Sequence, residues 1–190
     1  TGTENTAVGT TAGDAITTGD NNTIVGYDAL SAATTADGNT AIGSHAMQAN
    51  TSGHSGTAVG RFALKANTTG VENTALGKDA LLVNTTGNYN VAVGSLSLDA
   101  NTTASDNTAV GYASMTSNTT GAGNVALGRD VMNSNTTGSN NTVLGAYALK
   151  SNSTGSNNTA VGYTALENNT ANDNTAVGFA ALEENTTGAA

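Results

Sequence analysis

The run Asn107-Thr108-Ala109-Val110-Gly111-Tyr112-Ala113-Ser114-Met115-Thr116-Ser117-Asn118-Thr119-Thr120-Gly121-Ala122-Gly123 decides the fold, because it returns along the whole chain. Its marker glycine recurs at one constant spacing as Gly9, Gly26, Gly43, Gly60, Gly77, Gly94, Gly111, Gly128, Gly145 and Gly162, and then, one position early, as Gly178. The missing residue falls in Ala171-Asn172-Asp173, a polar stretch where a turn absorbs a deletion. Residues 1–190 therefore read as a single repeat array of eleven units. The consensus is N-T-A-V-G-x-x-A-L-x-x-N-T-T-G-x-x.

Aligned units give columns. Before the marker glycine stands an aliphatic residue in every copy, as in Val59, Leu76, Val93 and Val110. Four residues after the glycine stands Leu or Met in every copy but the first, as in Leu64, Leu81 and Met115. Asn opens each unit (Asn73, Asn90, Asn107) except where Gly56 replaces it. A second Asn column contains Asn67, Asn84 and Asn101. The Ala of N-T-A-V is nearly constant too, with Ile24 and Val143 the departures.

A unit of this length, rich in Asn, Thr and Gly, is too short and too poor in helix formers for a helical repeat. N-T-A-V alternates Thr and Val on one face with Asn and Ala on the other. The expected coil is a short strand, a glycine-led turn, a second short strand around the A-L pair, and an N-T-T-G turn. Coils stacked about 4.8 Å apart pair strand on strand in parallel. The fold class is thus all-β, a parallel β-solenoid or β-roll of eleven stacked coils, in a rod of about 50 Å. Stacking places identical aliphatic residues on one another and lets Asn amides hydrogen-bond from rung to rung. The marker glycine should occupy a site that needs φ > 0 or close backbone approach.

Val and Leu are expected to point into the coil. The Ala column would then form a second apolar face, buried against another chain. With only 37% apolar and 4% aromatic residues the core is thin, which also favours assembly, as a homotrimer.

Composition excludes several functions. There is no Cys, hence no disulfide and no thiolate metal site. The net charge is −9, and Arg61, Lys65, Lys78, Arg129 and Lys150 form no cluster in sequence, so nucleic acid is not an expected partner. No apolar run approaches a membrane span. Both ends stop within the repeat, and the expectation is a piece of a longer array.

The N-T-A-V-G-x-x-A-L unit resembles the head repeats of trimeric autotransporter adhesins, YadA-like, and more closely the N-T-A-V-G-x-x-A-L-x-x-N-T-T-G arrays of phage-tail-fibre-like proteins. The resemblance runs from Asn5 to Gly188 and implies a homotrimeric extracellular fibre, on a bacterial surface or a virion, that serves attachment to a host or environmental surface. Adhesin-head repeats are usually shorter than this one, so the cross-section of the coil should differ.

Catalytic, cofactor and metal residues are expected to be none, and the chain is not expected to be an enzyme. Val25-Gly26-Tyr27-Asp28-Ala29-Leu30 matches the hexapeptide pattern of acyltransferase β-helices, but only one third of each coil fits it. His45 and His54 lie in different columns without an evident Ser or Asp partner, and read as turn or surface residues. Gly121-Ala122-Gly123 lacks the Lys-Ser/Thr of a phosphate loop. Asp28, Asp79 and Asp130 recur every third rung, about 14 Å apart, too far to share an ion. Asn67, Asn84, Asn101, Asn118 and Asn135 are N-x-S/T acceptors, a spacing the repeat itself demands. The alternative to a passive fibre is an ice-binding or other repetitive ligand-binding solenoid, on the Thr pairs Thr68-Thr69, Thr85-Thr86 and Thr119-Thr120. Those pairs are adjacent and lie at a turn, unlike Thr-x-Thr along a strand.

Overall fold

A computed structural model describes residues 2–188. Eleven strands of three residues each, from β1 (Thr6–Val8) through β6 (Val91–Val93) and β7 (Thr108–Val110) to β11 (Thr175–Val177), form one parallel sheet in chain order. Each strand pairs with the next residue for residue, for example Val91 with Thr108, Ala92 with Ala109 and Val93 with Val110. One full repeat separates the partners throughout, and one residue fewer only between Thr159–Val161 and β11, where the deletion lies. The all-β parallel solenoid with one repeat per coil is the fold, with about ten complete turns of chain and no helix among the described residues.

The second strand is not there. The segment after the marker glycine is a chain of turns, because every other residue has a left-handed backbone. His45 and Met47 have φ of 60° and 52°. The amides of Ala46, Gln48 and Asn50 donate to the carbonyls three residues back, of Gly43, His45 and Met47. Positive φ at the third residue, His45 and Met47, gives the first two of these turns the type II signature. A bulky Leu or Met seldom accepts it, yet Leu64, Leu81 and Met115 all do, at φ 50°, 50° and 54°. The amides of these residues are held by the carbonyls of the next coil, Ala80, Ser97 and Val131. Packing reinforces the geometry, since the same side chains fill the core.

The interior of the coil is therefore narrow. It holds the Leu/Met column, the Ala before it, and the Ala of each strand: Leu64, Leu81, Met115, Ala63, Ala80, Ala75, Ala92 and Ala109 are all fully buried. Here the expected orientation of the strand is reversed. Ala faces the chain's own core, and the aliphatic residue beside it faces out: Ile42 is 37% exposed, Leu76 46% and Leu144 38%. Val59, Val93 and Val110 are half-buried. Width explains the reversal, because Leu or Met already occupies the middle of the coil and leaves little room opposite, filled by Ala in nine strands and by the fully buried Ile24 and Val143 in the other two. The Ala column needs no second chain to bury it.

Two exceptions show how tightly volume is controlled. The first coil has Gly13 where others have Leu, and a Cβ there would stand 2.6 Å from Ile24 Cδ1, so the larger Ile24 fills the space. Gly56 replaces an Asn, and a Cβ there would stand 2.4 Å from Met47 Cε. The methionine tip fills that gap.

Both Asn columns are ladders. In the first, Asn90 donates its backbone N–H and its Nδ2 to Asn73 Oδ1 (3.0 and 3.1 Å), and Nδ2 also donates to the Ala104 carbonyl (2.9 Å). In the second, Asn84 Nδ2 donates to Asn67 Oδ1 (2.9 Å) and to the Gly87 carbonyl (3.0 Å). Asn101 and Asn107 continue the two rows. The first ladder ties the start of a coil to its closing turn, and the second braces that turn. All these side chains are at most 1% exposed. A buried amide that spends both N–H groups and its oxygen adds stability instead of costing it.

The marker glycine meets both expected conditions. Gly77 has φ 142°, and a Cβ on it would lie 2.6 Å from the Gly94 carbonyl.

Candidate functional surface

With the interior filled, any function of these coils lies on their outside, where three features stand out. The first is the sheet face. Every strand turns its first and third residues outward, giving two ranks that climb the rod one rung at a time. The first rank is Thr in nine strands and Val in two, Val91 and Val125. The second is Val, Ile or Leu throughout. Neither rank carries a charge.

The second feature is the corner that follows the marker glycine, which collects aromatic rings and all five basic residues. His45 packs against Tyr27 (5.3 Å between centroids) and Phe62 (5.1 Å). Arg61 and Lys65 lie over Phe62, at 4.3 and 4.9 Å from its centroid, and Arg129 and Lys150 lie over Tyr147, at 5.7 and 5.1 Å. These four charges sit over rings, and Arg129 also pairs with Asp130 at 2.9 Å. The remaining one, Lys78, pairs with Asp79 at 2.7 Å.

This corner also brings together a trio, in which Asp28 stands in the column of His45 one rung earlier. Ser44 Oγ is 2.7 Å from His45 Nδ1, and Asp28 Oδ2 is 3.8 Å from His45 Nε2. The carboxylate is beyond hydrogen-bond distance, and it accepts a bond from Gln48 Nε2 instead. A working nucleophile needs its base aligned by a bonded carboxylate and a cleft that holds substrate. The trio sits on the outer edge of the coil and shows neither. A shallow groove of about 370 Å³, lined by Gln48, Ala49, Lys65, Ala66, Leu82 and Val83, runs beside the corner and contains no acid or nucleophile. His54 stands elsewhere, exposed, with Nδ1 3.4 Å from Ser55 Oγ.

Asp28, Asp79 and Asp130 acquire a physical reason. They occupy a left-handed position, at φ 57°, 59° and 51°, which Asp tolerates better than most residues. Among the described residues no three His, Asp or Glu side chains are placed to hold a metal ion.

The third feature is the N-T-T-G turn. Asn67, Asn84, Asn101, Asn118 and Asn135 are fully buried with their Nδ2 groups engaged in the ladder, so the folded coil shields these sequons from modification. The first Thr of each pair donates its hydroxyl to the next coil, as Thr68 to the Thr85 carbonyl and Thr119 to the Thr136 carbonyl, both at 3.0 Å. Thr85 does the same with Thr102. Only the second, Thr69, Thr86 or Thr120, is exposed. The pairs are therefore part of the scaffold on one side and a single row on the other. No family model, curated protein or solved structure matches the chain.

Proposed function

We propose that this chain is a non-enzymatic structural segment of an extracellular fibre, of the bacterial-surface or phage-tail kind, that holds an attachment function at a distance. One observation carries the reading: ten successive pairings repeat the same contacts from end to end. A repeat array of this kind supplies length, with each coil stabilised by its neighbours. The resemblance of N-T-A-V-G-x-x-A-L-x-x-N-T-T-G to fibre and adhesin repeats supports the same reading.

Homotrimeric assembly belongs to that proposal through the resemblance and the thin core, since the Ala column that also suggested it faces inward.

The test uses excision in the full protein. Removing Gly77 through Val93 rejoins Leu76 to Gly94 with every column in register. Attachment should persist, with the rod shortened by about 5 Å. Excising any other complete unit should do the same. Loss of function on removing one particular coil, with the rest folded, would identify a local site and overturn the spacer reading.

A further inference from the structure

The two Thr-rich regions of the coil differ in what their sequence preserves. At the N-T-T-G turn, Thr gives way to Ser, at Ser52 and Ser153, so what persists is the hydroxyl, and there the first hydroxyl of each pair bonds the next coil. In the first rank of the sheet, Thr gives way only to Val, at Val91 and Val125, so what persists is the β-branched shape with its γ-methyl. Among the described residues, no side-chain hydrogen bond to protein ties down the hydroxyls of Thr74, Thr108 or Thr142. Strand propensity favours β-branched residues at these places, but it gives no reason for nine of eleven to carry an unspent hydroxyl. β-Branching also restricts χ1, so the methyls and hydroxyls stand in a fixed array.

The array has lattice dimensions. Neighbouring rungs are about 4.8 Å apart, and the two ranks about 6.6 Å apart along each strand. Water molecules joined tetrahedrally through O···O distances of about 2.75 Å place second-neighbour oxygens about 4.5 Å apart, with a perpendicular repeat of about 7.3 Å. The mismatch along the rod is about 0.3 Å per rung, so registry survives over about four rungs at a time. Across the strand only two ranks have to match.

We propose that the Thr/aliphatic face of the sheet binds ice: methyl groups at rung spacing sit over openings of the water lattice, while the free Thr hydroxyls join its hydrogen bonds. A second copy of the chain is the competing occupant. Its own face would desolvate the same rows of hydroxyls, at about 1–3 kcal/mol for each left without a partner. A water lattice meets every one of them. The ice proposal stands apart from the fibre reading, since a rod of either purpose could carry such a face. It also uses the sheet instead of the turn Thr pairs.

The experiment measures thermal hysteresis and ice-recrystallisation inhibition by the 190-residue chain, with light scattering for its mass in the same buffer. The chain should be active as a monomer. Replacing both Thr108→Tyr and Val110→Tyr, which project from β7 onto the face, should remove most of the activity, while Thr120→Tyr on the exposed turn should leave it intact. Should the tyrosines disturb folding, as read by circular dichroism, Thr74→Ser, Thr108→Ser and Thr142→Ser together provide the second arm. They keep the hydroxyls and delete the methyls, and activity should fall several-fold. A folded chain without hysteresis would overturn the proposal. So would a trimer that the β7 tyrosines dissociate, because the face would then belong to a second copy.

Discussion

The first two coils and the later ones fill the same slot differently. From Asn50 onward the slot opening the N-T-T-G turn holds an amide ladder, whereas Ile16 and Ala33 occupy it in the first two. The turn hydrogen bond is the same in both regions. The Ala33 amide donates to the Leu30 carbonyl (3.4 Å) as the Asn50 amide does to that of Met47 (3.0 Å). An Asn is thus not what bends the chain. What the ladder adds is coupling, because each amide completes the hydrogen bonding of its neighbour and cannot be removed alone.

The sharpest test moves the filling of the first coil into the middle of the ladder. Asn118→Ile would strip a donor from Asn101 Oδ1 and from the Gly121 carbonyl, and an acceptor from Asn135 Nδ2. At about 1–3 kcal/mol for each buried group left short, the loss should come to about 3–9 kcal/mol in denaturant melts. A loss below that range would mean that the amides are packing filler like Ile16, and the distinction between the regions would collapse.

A smaller effect should follow from repairing the first ladder at its gap. Gly56→Asn brings a side chain into the space of the Met47 tip and should cost about 1–3 kcal/mol by overpacking. Adding Met47→Leu should recover much of it, and a double-mutant cycle reads the coupling. Independent effects at the two positions would show that Met47 does not stand in for the missing amide.

Turning to the outward rank, Val93→Asp should cost no more than about 1 kcal/mol, since the side chain is half-buried at the surface of the sheet and a hydrated charge is tolerated there. Thermal melts alongside Ala92→Asp, which would bury a charge in the core, check this. Equal damage from the two would mean that both faces of the strand are closed.

The smallest change concerns a half-buried acid that belongs to no ladder. Asp99 Oδ1 has no hydrogen-bond partner, and burial pushes its carboxyl above the ordinary carboxylate range. The folded state then holds the proton more tightly than the unfolded one. The resulting penalty is complete above the raised value and vanishes as pH falls below the ordinary range. Asp99→Asn should therefore raise the melting temperature slightly at neutral pH and gain nothing in acid. A gain that persists in acid would place its origin elsewhere.

The period, the parallel stacking, both Asn ladders and the Leu/Met core were legible, because each depends on a residue type recurring at one spacing. The direction of the strand was not. Alternation assigns Val and Ala to opposite faces without saying which is inside, and choosing the larger residue for the core gave the wrong answer. Variability held the missing signal: Val, Ile and Leu interchange freely in one column, while the other stays at Ala in nine of eleven strands. A confined site resists changes of volume. The second strand failed for another reason, since nothing in the pair Ala63-Leu64 announces a left-handed leucine that is imposed by hydrogen bonds to the next coil. The neighbourhood of Ser44, His45 and Asp28 was legible but missed: Asp28 stands in the same column as His45, one rung earlier, and comparing the two histidines only with each other overlooks it.

The ladders also give the rod a direction. Along both rows Nδ2 donates toward the start of the chain and Oδ1 accepts from the side of its end, as between Asn101 and Asn84 or Asn90 and Asn73. The side-chain dipoles within a row are consequently parallel and polarise one another, strengthening each bond by about 10–30%. One end of such a column offers donors and the other acceptors. Segments joined along their axis would therefore continue this order only when arranged head to tail, and a reversed junction would set acceptor against acceptor. A filament assembled from these coils is electrically polar along its length, with ends that a binding protein can tell apart by hydrogen bonding alone.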